Sequence, residues 1–522
     1  MARQPAFDDN QPPRASRTPI GGCMNSQDQI ADDVKVLHSM GYAQELVRRM
    51  KAFSNFAIAF SIICILSGGI NSLGQAIGGA GGAAIGIGWP IGCAISFLFA
   101  LGMAQIASAY PTAGGLYHWS SILGGRGWGW GTAWLNLLGL VTVLGAINVG
   151  TFYFFIGAFG KTLGLEGNLP TQIVFLLILT GVQAAVNHFG IQLTTMLTDF
   201  SGYLIFAVTG ALTLALLIYA PTHDISRLWT FTNFSGEAGG SVWPATTIAG
   251  VFLLGLLLPI YTITGYDGCA HVAEETVNAQ RSVPRSIISS VLYSSLFGWI
   301  MLSAFVIAIP DMAAAAKQGY NVFFYVLEAV VPQPLRVALF IGVFVSQFLC
   351  GLATVTSASR MIFAFARDGG FPSFLRVLHP TFRTPVAAIW ATALISILFT
   401  LYAPVYSTIV TITVIFLFLS YAMPIAAGLF AYGKTWTKMG PWDLGATFQI
   451  VSVGVIISSV FIFIVGIQPP NDKALWVTVA FFALLVVVWF ALERNRFKGP
   501  PTGESIAQRQ AEIAATERSI GD

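Results

Sequence analysis

Apolar residues run through this chain in long blocks, and the polar residues gather in short stretches between them. A membrane-spanning helix needs about 20 mostly apolar residues. Runs of roughly that length lie at 53–77, 85–109, 130–159, 169–188, 195–220, 244–270, 286–309, 334–358, 385–402, 404–432, 445–467 and 474–492. They predict an all-α polytopic membrane protein with 12 transmembrane helices. Only Tyr402-Ala403-Pro404 divides the ninth run from the tenth. Residues 1–52 and 493–522 are polar enough to be tails. Residues 1–30, rich in Pro, Gln, Asp and Ser, are expected to be disordered. The stretch from Ile30 to Lys51 spaces apolar residues among charges. It reads equally as a helix lying in the membrane surface or as a solvated helix leading into the first span.

Two of the runs are interrupted. The first contains Ile65-Leu66-Ser67-Gly68-Gly69-Ile70-Asn71-Ser72, and the sixth contains Tyr261-Thr262-Ile263-Thr264-Gly265-Tyr266-Asp267-Gly268. Glycine costs a helix about 1 kcal/mol relative to alanine. Irregular backbone at membrane depth survives only where protein buries it or a wet cavity receives it. Matched interruptions in the two halves of a chain point to the binding site of a secondary transporter.

The composition agrees, with 55% hydrophobic and only 9% charged residues. Soluble domains carry nearer about 25% charge. A net charge of +3 gives no argument for nucleic acid. Cys23, Cys64, Cys93, Cys269 and Cys350 show no metal or disulfide spacing. No apolar run preceded by basic residues lies in 1–52, so no cleavable signal peptide is expected. With the N-terminus inside, the inner segments hold fifteen basic residues, among them Arg48, Arg126, Arg285, Arg367, Lys434 and Arg494. The outer loops hold five: Lys161, Arg227, Lys317, Arg336 and Lys473. That bias places both termini in the cytoplasm of a plasma (inner) membrane protein.

Three polar stretches at helix ends are specific. The first runs Gln105-Ile-Ala-Ser-Ala-Tyr110-Pro-Thr-Ala-Gly-Gly115-Leu-Tyr-His-Trp119. The second runs from Gly265 through Asp267, His271, Glu274 and Glu275 to Asn278 and Val283-Pro-Arg285. The third runs Ser359-Arg360-Met-Ile-Phe-Ala-Phe365-Ala-Arg367-Asp368-Gly-Gly-Phe-Pro372. Together they resemble the amino acid–polyamine–organocation transporters, and most of all the amino acid/choline branch with its 4-aminobutyrate and choline permeases. The resemblance spans roughly residues 45–490. It implies the leucine-transporter-type fold, in which helices 1–5 (53–220) and 6–10 (244–432) form a 5+5 inverted repeat, with two helices (445–492) outside it. One departure is visible: the acidic residue usual before Ile-Ala-Ser-Ala-Tyr-Pro is Gln105 here. A charge partner at the inner gate is therefore expected to be missing.

A broken helix frees backbone groups that normally pair within it. Its N–H groups suit a carboxylate. In the first break these would come from Gly68, Gly69 and Ile70, with the Ser67 hydroxyl beside them. The plainer reading of Gly68-Gly69 is a close-packing surface. The second break would offer carbonyls to an ammonium. The resemblance puts Ile65, Tyr261 and Thr264 where the family contacts the amine, and makes Tyr261 an aromatic gate. Asp267 reads as a substrate contact or, more simply, as a stabiliser of the break. His188 and His271 read as interfacial residues.

Coupling has two candidates. Asp199 could carry a proton or cap its helix at the membrane surface; a sodium site would draw on helix 1 carbonyls and hydroxyls of Thr354, Thr356 and Ser357. The fifth run contains no lysine to stand in for a cation. A proton is favoured over sodium. No metal pattern, cofactor motif, phosphate loop or catalytic pair appears. The expectation is a non-enzymatic permease importing an amino acid or related solute such as 4-aminobutyrate. The alternatives are a choline, organic-cation or polyamine permease, and a non-transporting nutrient sensor.

Overall fold

The computed structural model describes residues 26–236, 242–402, 406–501 and 504–521. Cys23 and the division expected at Ala403-Pro404 lie outside them, as does most of the 1–30 segment. Its last residues depart from the expectation of disorder, because Ser26–Ser39 is a helix. The chain is all-helical, with no strand among the described residues.

Among the described residues, ten helices are long and apolar enough to cross a membrane. Two further apolar helices, Ile248–Thr262 and Val386–Leu401, are shorter. The Ile248–Thr262 segment is short because its chain leaves the helix at Ile263, within the predicted break. Burial ranks the helices by depth in the bundle. The apolar window of Ala52–Asn71 is 94% buried, and that of Asp472–Arg496 only 11%. The first therefore runs through the centre of the molecule and the last faces the surroundings.

The first helix runs Ala52–Ile63, stops, and resumes as Gly68–Asn71 and Leu73–Ala80. Cys64 ends it in the left-handed region at φ 30°, which costs a non-glycine residue. The sixth apolar segment ends at Thr262, resumes at Gly268–His271, and closes in a turn of 3-10 helix, Ala273–Glu275. Side chains bind the two broken helices to each other. Asn55 Nδ2 donates to the Cys269 carbonyl at 3.0 Å and to Thr276 Oγ1 at 2.9 Å, and the Cys269 thiol donates back to the Asn55 carbonyl at 3.3 Å.

The chain on either side of these helices seals one face of the bundle, called the terminal face because both tails pack there. The amides of Arg49 and Met50 donate to the Glu275 carbonyl at 2.9 and 2.8 Å, and Val277 N–H donates to the Met50 carbonyl at 2.9 Å. Arg48 donates to the carbonyls of Ala273 and Thr276. The Ser26–Ser39 helix is no free surface helix. Asp33 accepts from the amides of Asn278 and Ala279, and His38 meets Glu517 of the Glu504–Gly521 helix at 2.7 Å. The four described cysteines are buried and free.

Candidate substrate site

The two interruptions meet at a small cavity of about 10 Å³, room for one water. Ser67, Gly68, Tyr261 and Thr264 line it with Ile147 and Cys350. Gly68 lies so close to the second break that a Cβ there would sit 2.9 Å from the Thr262 Cα. Glycine at 68 is thus what allows the two backbones to touch. Ile65, Gly69 and Ile70 do not line this cavity. A Cβ on Gly69 would point to Leu302 at 3.6 Å and Trp89 at 3.9 Å, away from the break in the sixth segment. Ile65 is buried against the Ala279–Ala308 helix, where a Cβ on Gly298 would meet it at 3.1 Å.

The freed backbone groups divide by sign. Ser67 and Gly68 N–H both turn back to the Cys64 carbonyl, at 2.7 and 3.1 Å. Among the described residues no backbone acceptor meets the N–H groups of Gly69 or Ile70, and no backbone donor meets the carbonyls of Thr262, Ile263 or Thr264. One break therefore offers donors and the other acceptors.

A second cavity, of about 380 Å³, lies toward the face opposite the termini. Ile70, Asn71, Tyr153, Tyr320 and Tyr406 are among its walls. Tyr261 of the small cavity and Tyr406 of the large one meet edge to face, ring centroids 6.4 Å apart, and so stand between the two spaces. Tyr406 is itself fixed by Ser72 at 3.1 Å and by the Tyr320 ring at 6.0 Å.

Asp267 contacts neither cavity. It is fully buried, with its carboxylate accepting from Tyr421 Oη at 2.8 Å and Asn136 Nδ2 at 3.0 Å. The Tyr421 hydroxyl also accepts from Gly265 N–H at 3.0 Å. Asp267 thus stabilises the break through other helices, with no cap bond of its own. The expectation of an interfacial His271 is wrong. The ring is completely buried, 3.3 Å from Asp267 and 3.2 Å from the Ala113 carbonyl. His188 is partly exposed at a helix end, where its ring meets the Trp390 indole N–H at 3.4 Å.

The coupling candidates are apart from the cavity. Asp199 is partly exposed and bonded to Ser54 at 3.0 Å, near the end of the first helix on the terminal face. Thr354 donates back to the Cys350 carbonyl at 2.9 Å, and Thr356 donates to Asn187 Oδ1 at 2.7 Å. Ser357 is buried, with no partner for its hydroxyl among the described residues. The helix 1 carbonyls are already served by donors: Ile62 by the Cys350 thiol at 3.2 Å, Leu66 by Gln347 Nε2 at 3.0 Å.

Two buried ion pairs close the terminal face. Arg360 meets Glu275 at 3.1 Å and Arg367 meets Glu274 at 2.8 Å. Burial works to raise the Glu274 carboxyl, but Arg367 and the Ala113 N–H outweigh it and hold the group below its ordinary value. Gln105 is not idle where the acidic residue is missing. It donates to Asp443 at 2.8 Å and accepts from Leu444 N–H at 2.6 Å, tying two distant segments together. The roles of Tyr406, Tyr421, Asn136, Gln347 and the two ion pairs were not foreseen. The one signal in the sequence was the opposition of Glu274-Glu275 to Arg360 and Arg367 in otherwise apolar surroundings.

The amino acid permease family model matches residues 51–491. The amino-acid permease BAT1 of Arabidopsis thaliana is 31% identical over 498 residues, covering 89% of this chain and 95% of its own. An uncharacterized amino-acid permease of Schizosaccharomyces pombe is 26% identical, covering 90% and 87%. The GABA-specific permease of Saccharomyces cerevisiae is 27% identical over 386 residues, covering 69% and 64%. The chain belongs to the amino acid permease family, whose members are membrane transporters and not enzymes.

Proposed function

We propose that this member of the amino acid permease family carries an amino acid or amino-acid-like solute such as 4-aminobutyrate across the plasma membrane, by alternating access and with a coupled proton. The observation that carries the reading is the division of freed backbone groups at the two breaks. N–H groups of Gly69 and Ile70 suit a carboxylate, and carbonyls of Thr262 to Thr264 suit an ammonium. A zwitterion satisfies both. Gly69 and Ile70 lie outside the small cavity that Ser67, Gly68, Tyr261 and Thr264 line, so the solute would reach their N–H groups only once Tyr261 and Tyr406 part.

In this reading the fold comprises twelve spans in a 5+5 inverted repeat plus two helices. Both termini lie in the cytoplasm, so the wide cavity faces outward and the ion pairs hold the cytoplasmic side shut. A cavity of about 10 Å³ admits no solute as it stands. Binding then requires Tyr261 and Tyr406 to part, and release requires the terminal face to open. The solute would exchange between two closed sides, as alternating access demands. Cys350 and Gln347 on the helix 1 carbonyls favour a proton over sodium, because a cation would face donors there.

The rival is an organic-cation permease built on Tyr261, Tyr266 and Asp267. Against it stands Asp267, whose carboxylate is already occupied by Asn136, Tyr421 and His271. Competition uptake in proteoliposomes tests the choice, with amino acids, 4-aminobutyrate, choline and polyamines as competitors. A charge-assisted hydrogen bond is worth roughly 1.5–3 kcal/mol. Decarboxylated or amidated analogues should therefore compete about tenfold or more weakly than their parents. Choline competing as well as every carboxylate-bearing solute would transfer the assignment to the cation reading.

A further inference from the structure

The His271 ring lies between two groups that can only accept. Its Nδ1 is 3.2 Å from the Ala113 carbonyl, and its Nε2 is 3.3 Å from Asp267 Oδ2. A carbonyl oxygen has no proton to give, so Nδ1 carries one. A second proton must lie between Nε2 and Oδ2, on the imidazole or on the acid. The other partners of Asp267 cannot replace it, since Tyr421 and Asn136 already spend their protons on the carboxylate. The pair therefore holds two protons in this conformation. With one removed, an acceptor faces an acceptor in a fully buried site, where an unmet polar group is costly.

We propose that the Asp267–His271 pair is the proton-carrying site of the transport cycle, protonated while the terminal face is closed and deprotonated as it opens. The proposal rests on the proton-coupled reading and assigns the proton a place other than Asp199. The proton leaves the Nε2–Oδ2 contact for water on the terminal side, and no bond between heavy atoms changes.

Position makes this pair a coupler. On one side Asp267 is tied through Tyr421 to the Gly265 N–H, next to Thr264 of the substrate cavity. On the other, His271 rests on the segment that plugs the terminal face. Ala113 there donates its N–H to Glu274 at 3.0 Å. Gly115 follows at φ +48°, and a Cβ on it would stand 3.2 Å from the His271 ring. After the proton leaves, the ring keeps one N–H for two acceptors; drawn to the carboxylate of Asp267, it leaves Nδ1 and the Ala113 carbonyl facing each other lone pair to lone pair.

Charged neighbours are accounted for element by element. The Gln333–Arg367 helix brings Arg360 and Arg367, paired with Glu275 and Glu274. The Gly115–Gly124 helix brings His118, whose Nδ1 meets Thr112 at 2.6 Å. Tyr421 comes from Tyr406–Ala431, and Tyr266 and Cys269 belong to the same segment as the pair. Arg48 lies on the carbonyls of Ala273 and Thr276. Arg126–Phe155 and Ala52–Ile63 contribute neutral Asn136 and Asn55, and Arg281 and Arg285 of Ala279–Ala308 are exposed.

The test uses the full chain in proteoliposomes and two readouts. The first is uptake of a mixture of radiolabelled amino acids and 4-aminobutyrate, driven by an inward proton gradient with the membrane potential clamped. One proton per solute supports about tenfold accumulation per pH unit. His271→Gln keeps an amide for Asp267 but cannot release a proton. It should lose the pH-driven accumulation and retain exchange between equal pools, whereas Asp199→Asn should retain both. Accumulation intact in His271→Gln, or lost in Asp199→Asn alone, overturns the assignment. Wild-type accumulation that ignores the proton gradient defeats the proton-coupled reading itself, a different result.

The second readout needs neither solute nor variant. Hydrogen exchange of the amides in residues 110–118 of the wild-type chain should slow severalfold on acidification from alkaline pH, after correction for intrinsic rates. pH-independent protection there overturns the proposal even if His271→Gln fails to fold.

Discussion

Gly68→Ala and Gly69→Ala add the same methyl group to neighbouring residues, and the structure gives them opposite consequences. At 68 the new carbon would lie 2.8 Å from Thr262 Oγ1 and 2.9 Å from the Thr262 Cα. Carbon atoms pack at about 3.5–4.0 Å. The two broken helices would have to separate by several tenths of an ångström or more, and the backbone carbon cannot rotate aside. At 69 the nearest atoms are Leu302 Cδ1 at 3.6 Å and Trp89 at 3.9 Å, which is ordinary contact. Overpacking of a fitted site costs typically about 1–3 kcal/mol. If that cost falls on the state in which the breaks meet, occupancy of the state drops about 5- to 140-fold. Initial rates of solute uptake at matched membrane levels measure it. Gly68→Ala should lose at least most of its uptake, with Gly69→Ala within about twofold of wild type. Gly69→Leu is a harsher case: its longer side chain would press on Leu302 and Trp89, damaging packing instead of blocking solute. Equal losses from the two alanine variants would falsify the claim that the breaks meet at Gly68.

Glu274→Gln should unlatch the terminal face, because removing one partner leaves Arg367 buried and uncompensated at about 3–5 kcal/mol; a cysteine-accessibility probe placed at Ser108 should label faster. Acidification should not imitate that variant near neutrality. The folded Glu274 carboxyl is held below its ordinary value, so its contribution is complete above the unfolded pKa of about 4.3 and lost only as pH falls through the lower folded one. Labelling at Ser108 that rises between pH 7 and 5 in wild type but not in Glu274→Gln would contradict this. Tyr406→Phe keeps the ring against Tyr261 but removes the bond to Ser72, and should speed release of bound solute toward the wide cavity; Tyr406→Ala should do so by more, as read in washout from outward-facing protein.

Both breaks were legible because they are local. Glycine beside serine, threonine and asparagine inside an apolar run weakens a helix wherever that run is placed. The exact geometry was less legible. The unwound turn falls on Cys64 to Ser67, and Gly68 and Gly69 already begin the next helical turn. Successive residues on a helical turn point about 100° apart, so Gly68 and Gly69 meet different neighbours, and a reading that treats them as one cradle assigns both to the solute. Only the partner helix, with Thr262 against one and Leu302 against the other, tells them apart.

Partnership across the chain was the part the sequence hid. His271 stands at the end of an apolar run and looks interfacial by its position. Its burial is decided by Ala113, Gly115 and Asp267, of which only the last is near in sequence. The same is true of Gln105, whose missing charge looks like a lost gate until Asp443 and Leu444, more than three hundred residues on, are found to occupy its amide. In a membrane interior a polar side chain cannot be left to water, so its partner fixes its role more firmly than its own chemistry does. That makes the distribution of donors decisive around His271. Asp199 has a single hydroxyl partner, Ser54, and partial exposure. The His271 ring has acceptors on both sides and no exposure, so a proton there decides whether two segments attract or repel.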